Sequence, residues 1–386
     1  LSLGNLYSAC TEFLGYSDGD EYKVMGLASY GKPTVNFSKI IKFNQKLWQI
    51  NKKYFEEQNT PFEHRYSKKF EHDFSKYKRL SNDKITAKHK DFSASIQKII
   101  SLGMRKAFLH TKKLSNFKKN ICLSGGVALN CSAVMDMFYS NIFEKIYISP
   151  NPSDRGLALG CAYYGSFKKK QKIKALDSPY LGSNYSDKEI LKELINNNMK
   201  FFSPRDYIDY TARLLSKGKI VGWFQGKAEI GARALGNRSI LADPRKKIMK
   251  EILNKKIKYR EEFRPFAPAV LEEESSNYFY TKNQKVPFMN CTVVAKKEKK
   301  SKIPAVVHID NTSRVQTVSK KTNKKFYKLI SSFKNKTGVP VLINTSFNLK
   351  GQAIVETPRD AIMTFCGSGM DFLVIGKYIV VKNEIN

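Results

Sequence analysis

The sequence predicts an α/β region followed by an α+β region. Between residues 120 and 165 a strand, a small-residue turn and a helix occur twice in succession, the pattern of a parallel α/β layer. From about residue 201 onward, helices bracketed by cap signals are mixed with short strands in hairpin-like connections. The length of 386 residues fits two or three domains at roughly 100–200 residues each.

Taken in order, residues 1–35 are glycine-rich and mixed. Residues 36–90 combine many charges with aromatics and few strand signals, which predicts a helical, surface-facing insertion. Ile96, Ile99, Ile100, Met104, Ala107 and Phe108 then recur at helical spacing, predicting an amphipathic helix that ends near Leu114. Asn120–Leu123 reads as a strand, SGGVALN as a turn and Cys131–Tyr139 as a helix. Lys145–Ser149 is a second strand, and the small-residue run to Gly165 predicts a helix packed closely on a sheet. The basic stretch 167–200 reads as a linker. Ser203-Pro204 and Gly218 bracket the next helix as N-cap, N1 and C′. Strands are expected at 219–224, 292–295, 339–343, 372–375 and 378–382, with a helix from Thr357-Pro358 to Gly367. The expected domains are 1–166, interrupted by the 36–90 insertion, and 201–386.

Composition narrows the function. Hydrophobic residues make up 41%, enough for ordinary cores. No apolar run reaches the ~18 residues of a membrane span. Six scattered cysteines without a CxxC pair argue against a disulfide framework or a Cys-rich zinc site and fit a reducing cytoplasm. The five histidines show neither HxxxH nor HExxH spacing. Leu1, in LSLGNLYSAC, belongs to no signal-peptide pattern, so the chain reads as starting inside a domain. Lys plus Arg outnumber Asp plus Glu 68 to 34, a net charge of +34. The lysines are spread along the chain and no nucleic-acid motif accompanies them, so a solvated basic surface is expected rather than a nucleic-acid platform.

Five stretches carry possible chemistry. In SGGVALN, Gly125 and Gly126 let a ligand approach the backbone, a helix N-terminus follows, and Asn130 can read a hydroxyl or base edge; a plain turn is the alternative. In NPSDRGLALG, Asp154 is either a helix cap or a metal ligand facing that turn. GWFQGKAEIGARALGNRSILADPR interleaves Glu229, Arg233, Arg238 and Arg245 with glycines, which suits a phosphate or carboxylate ligand; a surface ion-pair network is the alternative. REEFRPFAPAV adds Arg264, with Lys258 just upstream. HIDNTSRVQTV and INTSFN add His308, Asp310 and Arg314 at alternating spacing, as on one strand face, and Ser346 and Asn348 at a strand end.

These motifs, with EYKVMGLASYGKP before them and in this order, resemble the NodU/CmcH-type O-carbamoyltransferases. The resemblance covers the chain apart from 36–90 and the 167–200 linker. It implies part of an actin-like (ASKHA) ATPase domain followed by a YrdC-like domain. The YrdC-like domain of the family joins carbamoyl phosphate and ATP into carbamoyl adenylate. The actin-like domain passes the carbamoyl group to a hydroxyl of a sugar or natural product with a bound divalent metal, iron by the same resemblance. Arg233, Lys258, Arg314, Ser346 and Asn348 would then hold carbamoyl phosphate and the adenylate. Gly125, Gly126 and Asn130 would contact ATP in the transfer site, His308 would be a phosphate donor or a structural histidine, and Asp154 would ligate the metal. The family's histidine ligands belong to a segment upstream of EYKVMG, and none of the five histidines here matches them.

Two further readings stay open. The net charge also suits a tRNA carbamoylation or threonylcarbamoylation protein, and the chain could be a non-catalytic nucleotide-binding module. Neither a membrane nor a nucleic acid is the expected partner.

Overall fold

The computed structural model describes residues 2–45, 47–56, 65–173, 176 and 178–382. The chain divides into two compact units, Leu1–Asp154 and Arg155–Asn386.

The first unit is built on helices. Helix α1 (Leu3–Phe13) is capped by Ser2, whose hydroxyl accepts the Asn5 N–H at 3.1 Å, and α2 (Glu21–Ala28) follows. Strands β1 (Ile41–Phe43) and β2 (Trp48–Ile50) form an antiparallel hairpin, and α3 (Lys68–Phe74) starts on a Ser67 cap. The long helix α4 (Ala87–Leu114) packs against α1 and α2 and ends where the periodicity predicts. Strand β3 (Asn120–Leu123), helix α5 (Cys131–Tyr139) and strand β4 (Lys145–Ile148) complete the unit, with β3 and β4 parallel and α5 against α4.

Residues 36–90 are not the surface-facing helical insertion that their charge density suggests. Phe37, Tyr54, Tyr66, Phe70 and Phe74 are buried. Phe13 of α1 meets Tyr66 and Phe70 edge-on at 5.1 and 5.0 Å, while Phe37 stacks on Phe74 at 5.3 Å. Each buried ring contributes about 1.5–3 kcal/mol, with a further increment of about 0.5–1.5 kcal/mol for well-oriented pairs. Arg79 ties the segment down: its guanidinium donates to the carbonyls of Leu14, Ser81 and Asp83 and lies over the Tyr16 ring.

The second unit opens with α6 (Leu157–Lys168), of whose residues none is buried. The close packing on a sheet that its small residues predict is not seen: among the described residues a Cβ at Gly160 or Gly165 would meet nothing within 4 Å. The expected linker contains α7 (Asp187–Asn196), started by a reciprocal Ser186–Glu189 capping box, and its last residue opens β5 (Lys200–Phe202). Helix α8 (Tyr207–Ser216) is capped by Asp206 rather than Ser203 and stops before Gly218 at φ +81°.

Then come β6 (Val221–Phe224), β7 (Arg238–Ala242) and α9 (Ile248–Ile252), which continues as a π-helical turn over Leu253–Lys258. After β8 (Ala267–Leu271) and α10 (Ser275–Tyr278), β9 (Val293–Val294) pairs with β10 (Thr312–Ser313) outside the main sheet. Strand β11 (Gln316–Val318), α11 (Lys324–Thr337), β12 (Val341–Ser346), α12 (Pro358–Cys366), β13 (Phe372–Ile375) and β14 (Tyr378–Val381) finish the chain. Eight of these strands form one mixed sheet in the order β11-β8-β12-β7-β6-β13-β14-β5. The pairs β11/β8 and β13/β6 are parallel and the others antiparallel. Every residue of β6, β7 and β8 is buried, as expected of strands covered on both faces. No helix among the described residues is long and apolar enough to cross a membrane.

Candidate functional site

The register of the large sheet gathers most of the candidate residues at one end. Ser346, the last residue of β12, pairs with Ser239 at the start of β7, and Asn344 pairs with Ala267 at the start of β8. Gln316 at the start of β11 pairs with Ala269. Residues just before β7, β8 and β11 and just after β12 therefore share this end. Arg233, Arg264, Arg314 and Asn348 all fall in those segments.

Lys258 joins them from the π-helical turn. Its ammonium is buried, with its three N–H groups within hydrogen-bond distance of four oxygens: Ser346 O at 2.5 Å, Asn348 Oδ1 at 2.8 Å, Asn348 O at 2.9 Å and Ser346 Oγ at 3.2 Å. Ser346 Oγ in turn donates to Asn348 Oδ1 at 2.7 Å. A π-helical turn displaces one residue from the regular helical face, a frequent device at functional sites. Tyr259, left-handed at φ +44°, ends it. Burial lowers the Lys258 pKa well below the usual lysine value, and the nearby Arg260 and Arg264 cations lower it further. No carboxylate among the described residues forms an ion pair with it. A buried ammonium beside two arginines, held only by neutral oxygens, gains most from an arriving anion.

Arg233 lies in the loop between β6 and β7. Buried side chains fix the residues that follow it. Asn344 Nδ2 donates to Ala234 O at 3.3 Å; Gln316 Nε2 and Tyr180 OH donate to Leu235 O, both at 2.7 Å; and Trp223 Nε1 donates to Gly236 O at 3.0 Å. Asn344 also donates to Gln316 Oε1 at 2.8 Å, which links β12, β11 and the loop.

The other two arginines of this stretch have structural roles. Arg238 is buried, donates to the carbonyls of Gln225, Gly226, Asn237 and Ser183, and lies 3.6 Å from the centre of the Phe224 ring. Arg245 is clamped by the Asp243 carboxylate, with its closest contact at 2.6 Å. The expectation that His308, Asp310 and Arg314 share a strand face is corrected. Asn311 takes φ +66° and closes a tight turn, in which His308 N–H donates to Thr312 O at 2.9 Å. His308 is buried in that turn with Nδ1 3.4 Å from Asp310, and Arg314 falls between β10 and β11.

In the first unit, the two glycine-bearing segments meet at the carboxyl ends of β3 and β4. Gly125 N–H and Ser124 OH donate to Pro152 O at 2.7 and 3.0 Å. Gly125 has φ +99°, and the space beside it and Gly126 is open. Asn130 has two structural engagements. Its Oδ1 caps α5 by accepting the Ala133 N–H at 3.0 Å, and its amide exchanges two hydrogen bonds with Gln97, at 3.0 and 3.1 Å. Asp154 is exposed in the single turn Asp154–Gly156. Among the described residues, no group of three or more His, Cys, Asp or Glu side chains could hold a metal. Asp154 is thus one carboxylate without partner ligands among the described residues, and iron does not fit them.

Two family descriptions match the chain: "Carbamoyltransferase N-terminus" over residues 1–163 and "Carbamoyltransferase C-terminus" over residues 212–382. Nodulation protein NolO of Bradyrhizobium diazoefficiens is 35% identical, over 99% of this chain and 69% of that protein. The chain belongs to the carbamoyltransferase family. Nodulation protein NolNO of Sinorhizobium fredii is 37% identical, over 99% of this chain and 56% of its own length. An uncharacterized protein of Methanocaldococcus jannaschii is 37% identical, with 62% of its length covered. The chain thus spans about 56–69% of the length of these relatives. A solved structure, full-length HypF in its phosphate- and nucleotide-bound form, is 14% identical, covers 43% of this chain and 21% of its own, and has a TM-score of 0.29, too low to assign a fold.

Motif reading names Lys258, Ser346 and Asn348, which the structure joins by hydrogen bonds, and leaves out Arg260, Gln316 and Asn344. Arg260 stands in a recognised motif, and its pairing with Asn254 Oδ1 at 2.8 Å was the missing signal. Gln316 and Asn344 sit on strands among apolar residues, where a polar side chain that must find a partner was the available clue.

Proposed function

We propose that this chain is part of an O-carbamoyltransferase, with the second unit acting as the YrdC-like domain that forms carbamoyl adenylate from carbamoyl phosphate, ATP and one water, releasing pyrophosphate from ATP and orthophosphate from carbamoyl phosphate. The observation that carries the reading is the buried Lys258 ammonium, joined to Ser346 and Asn348, near Arg260 and Arg264, and itself in no ion pair among the described residues, although Arg264 lies 3.7 Å from Glu261. Such a group neutralises phosphate oxygens where water is excluded, and the neighbouring hydroxyl and amide can orient a carbamoyl group. Arg233 and Arg314 complete the phosphate contacts from the loops before β7 and β11.

The first unit is proposed as part of the actin-like transfer domain. The open backbone at Gly125 and Gly126 suits a nucleotide phosphate, and the acceptor is a hydroxyl of a sugar or natural product. Metal ligation by Asp154 would require ligands from outside the described residues. Six cysteines without a disulfide among the described residues fit a cytoplasmic setting.

The test is pyrophosphate release dependent on carbamoyl phosphate, compared between the parent and Arg314→Ala. Loss of a positioned guanidinium lowers the rate roughly 30- to 1,000-fold, or about 2–4 kcal/mol. Equal rates would remove Arg314 from the site, and a folded parent with no activity would refute adenylate formation by this chain alone.

A further inference from the structure

We propose that Glu229 is the positioning residue that holds the 230–237 loop, and Arg233 with it, in the shape that receives a phosphate. The inference deepens the carbamoyl-phosphate reading and rests on it for the identity of the anion.

The loop returns on itself around one carboxylate oxygen. Glu229 Oε1 accepts the backbone N–H groups of Leu235 at 2.5 Å, Asn237 at 3.2 Å and Arg238 at 3.3 Å. Its Oε2 is sealed from solvent and has no hydrogen-bond partner among the described residues. Burial raises the Glu229 pKa, and the three N–H donors oppose that shift by favouring the charged form. The carbonyl side of the same loop is held by Tyr180, Gln316, Trp223 and Asn344, so donors and acceptors alike are fixed by buried side chains.

A surface loop needs none of this. A buried carboxylate is costly, and three convergent N–H bonds offset that cost only when the loop keeps one conformation. Arg233 sits inside the span closed by Glu229, four residues after it and two before Leu235. A guanidinium on a loop held at both ends loses less conformational freedom on meeting a phosphate, and affinity follows from that preorganisation. Glu229 acts through Arg233 rather than by contact with the anion.

The experiment uses the whole chain and inorganic phosphate as probe, read by titration calorimetry. Arg233→Ala should weaken phosphate binding, and Glu229→Gln, which keeps the acceptor but removes its charge, should weaken it about 3- to 10-fold. Glu229→Asp, which keeps the charge but is too short to reach all three N–H groups, should do the same. Adding Glu229→Gln to Arg233→Ala should weaken binding no further, because the first residue works through the second. Additive losses, or parent-like binding in both Glu229 variants, would overturn the proposal. Unchanged binding in Arg233→Ala would instead overturn Arg233 as the anion ligand and the phosphate reading with it. Hydrogen exchange in the unmutated protein tests the loop without any ligand or variant. The amides of Leu235, Asn237 and Arg238 should be strongly protected, and exchange at the rate of open-loop amides would refute the clamp.

Discussion

Two glycine turns, one in each unit, look alike in sequence and differ in construction. The turn at Gly125 and Gly126 has open space where side chains would stand, and its neighbours touch it through the carbonyl of Pro152. The turn ending at Gly236 is filled: a Cβ there would lie 2.1 Å from Phe326 Cδ1, and the adjoining peptide groups are hydrogen-bonded to buried side chains. Both glycines have φ near +100°. The contrast separates two uses of one residue. At Gly125 only the backbone conformation demands glycine, whereas at Gly236 the packing demands it as well.

That contrast gives the largest expected effect. Gly236→Ala combines left-handed strain with a clash against an aromatic ring of the core and should cost about 2–5 kcal/mol. Gly125→Ala carries the strain alone and should cost about 1–2 kcal/mol. Thermal unfolding of the two variants side by side checks the order. Equal costs would mean that the first turn is packed too, and the comparison would fail.

The next effect concerns charge in the filled turn's sheet. Because burial and two arginines depress the Lys258 pKa, the unfolded chain holds one more proton than the folded one between the folded pKa and the ordinary lysine value of 10.5. Unfolding takes up that proton, so stability rises with pH across the window. Anion binding runs the other way, because a phosphate needs the ammonium and pulls its pKa back up. Without phosphate, the stability difference between the parent and Lys258→Met should therefore move in the parent's favour as pH rises through this window. Saturating phosphate should flatten that trend. Lys258→Met should bind phosphate roughly 10- to 150-fold more weakly, as expected for hydrogen bonds to a charged group. A pH trend that ignores phosphate would place Lys258 outside the anion site.

What could be read from the sequence divides along the same line. Lys258, Ser346 and Asn348, proposed to meet the anion, stood out by residue type in their motifs, and the structure joins them by hydrogen bonds. Residues that act on the backbone did not stand out. Glu229 is joined to three N–H groups that carry no sequence signature, and Arg238 looks like an anion ligand until its carbonyl partners are seen. Strand alternation misplaced His308 and Asp310 because Asn311 adopts a positive φ, which breaks a period-two pattern without altering its composition. The capping box Ser186–Glu189 was hidden in a basic stretch that read as a linker, and the aromatic core of residues 36–90 was masked by the charges around it. Strands β3, β4, β6, β12, β13 and β14, the long α4 and the helix at Thr357-Pro358 stood out because their cues are local, whereas β5, β7 and β8 of the large sheet did not.

The smallest effect tests whether the open turn binds anything. Asn130 and Gln97 hold each other by two hydrogen bonds, so either truncation removes the same pair. Asn130 also caps α5, a role worth about 1 kcal/mol. Gln97 also accepts the hydroxyl of buried Tyr7 at 2.9 Å, a bond of similar worth. On structure alone the two Ala variants should therefore lose comparable stability, and nucleotide affinity should fall equally in the two. A nucleotide contact made by Asn130 breaks the symmetry: its variant would lose additional ATP affinity that Gln97→Ala retains. Asn130→Asp refines the answer, because a carboxylate keeps the cap yet repels phosphate. If Asn130 faces the nucleotide, Asp should restore stability and leave ATP binding worse than in Asn130→Ala. If it is a cap and an amide partner alone, Asp should restore stability and leave ATP affinity at the level of Gln97→Ala. The measurements are thermal unfolding and ATP titration of the same three variants. Equal ATP affinities throughout would confine nucleotide contact in this turn to the bare backbone of Gly125 and Gly126, where the open space already points.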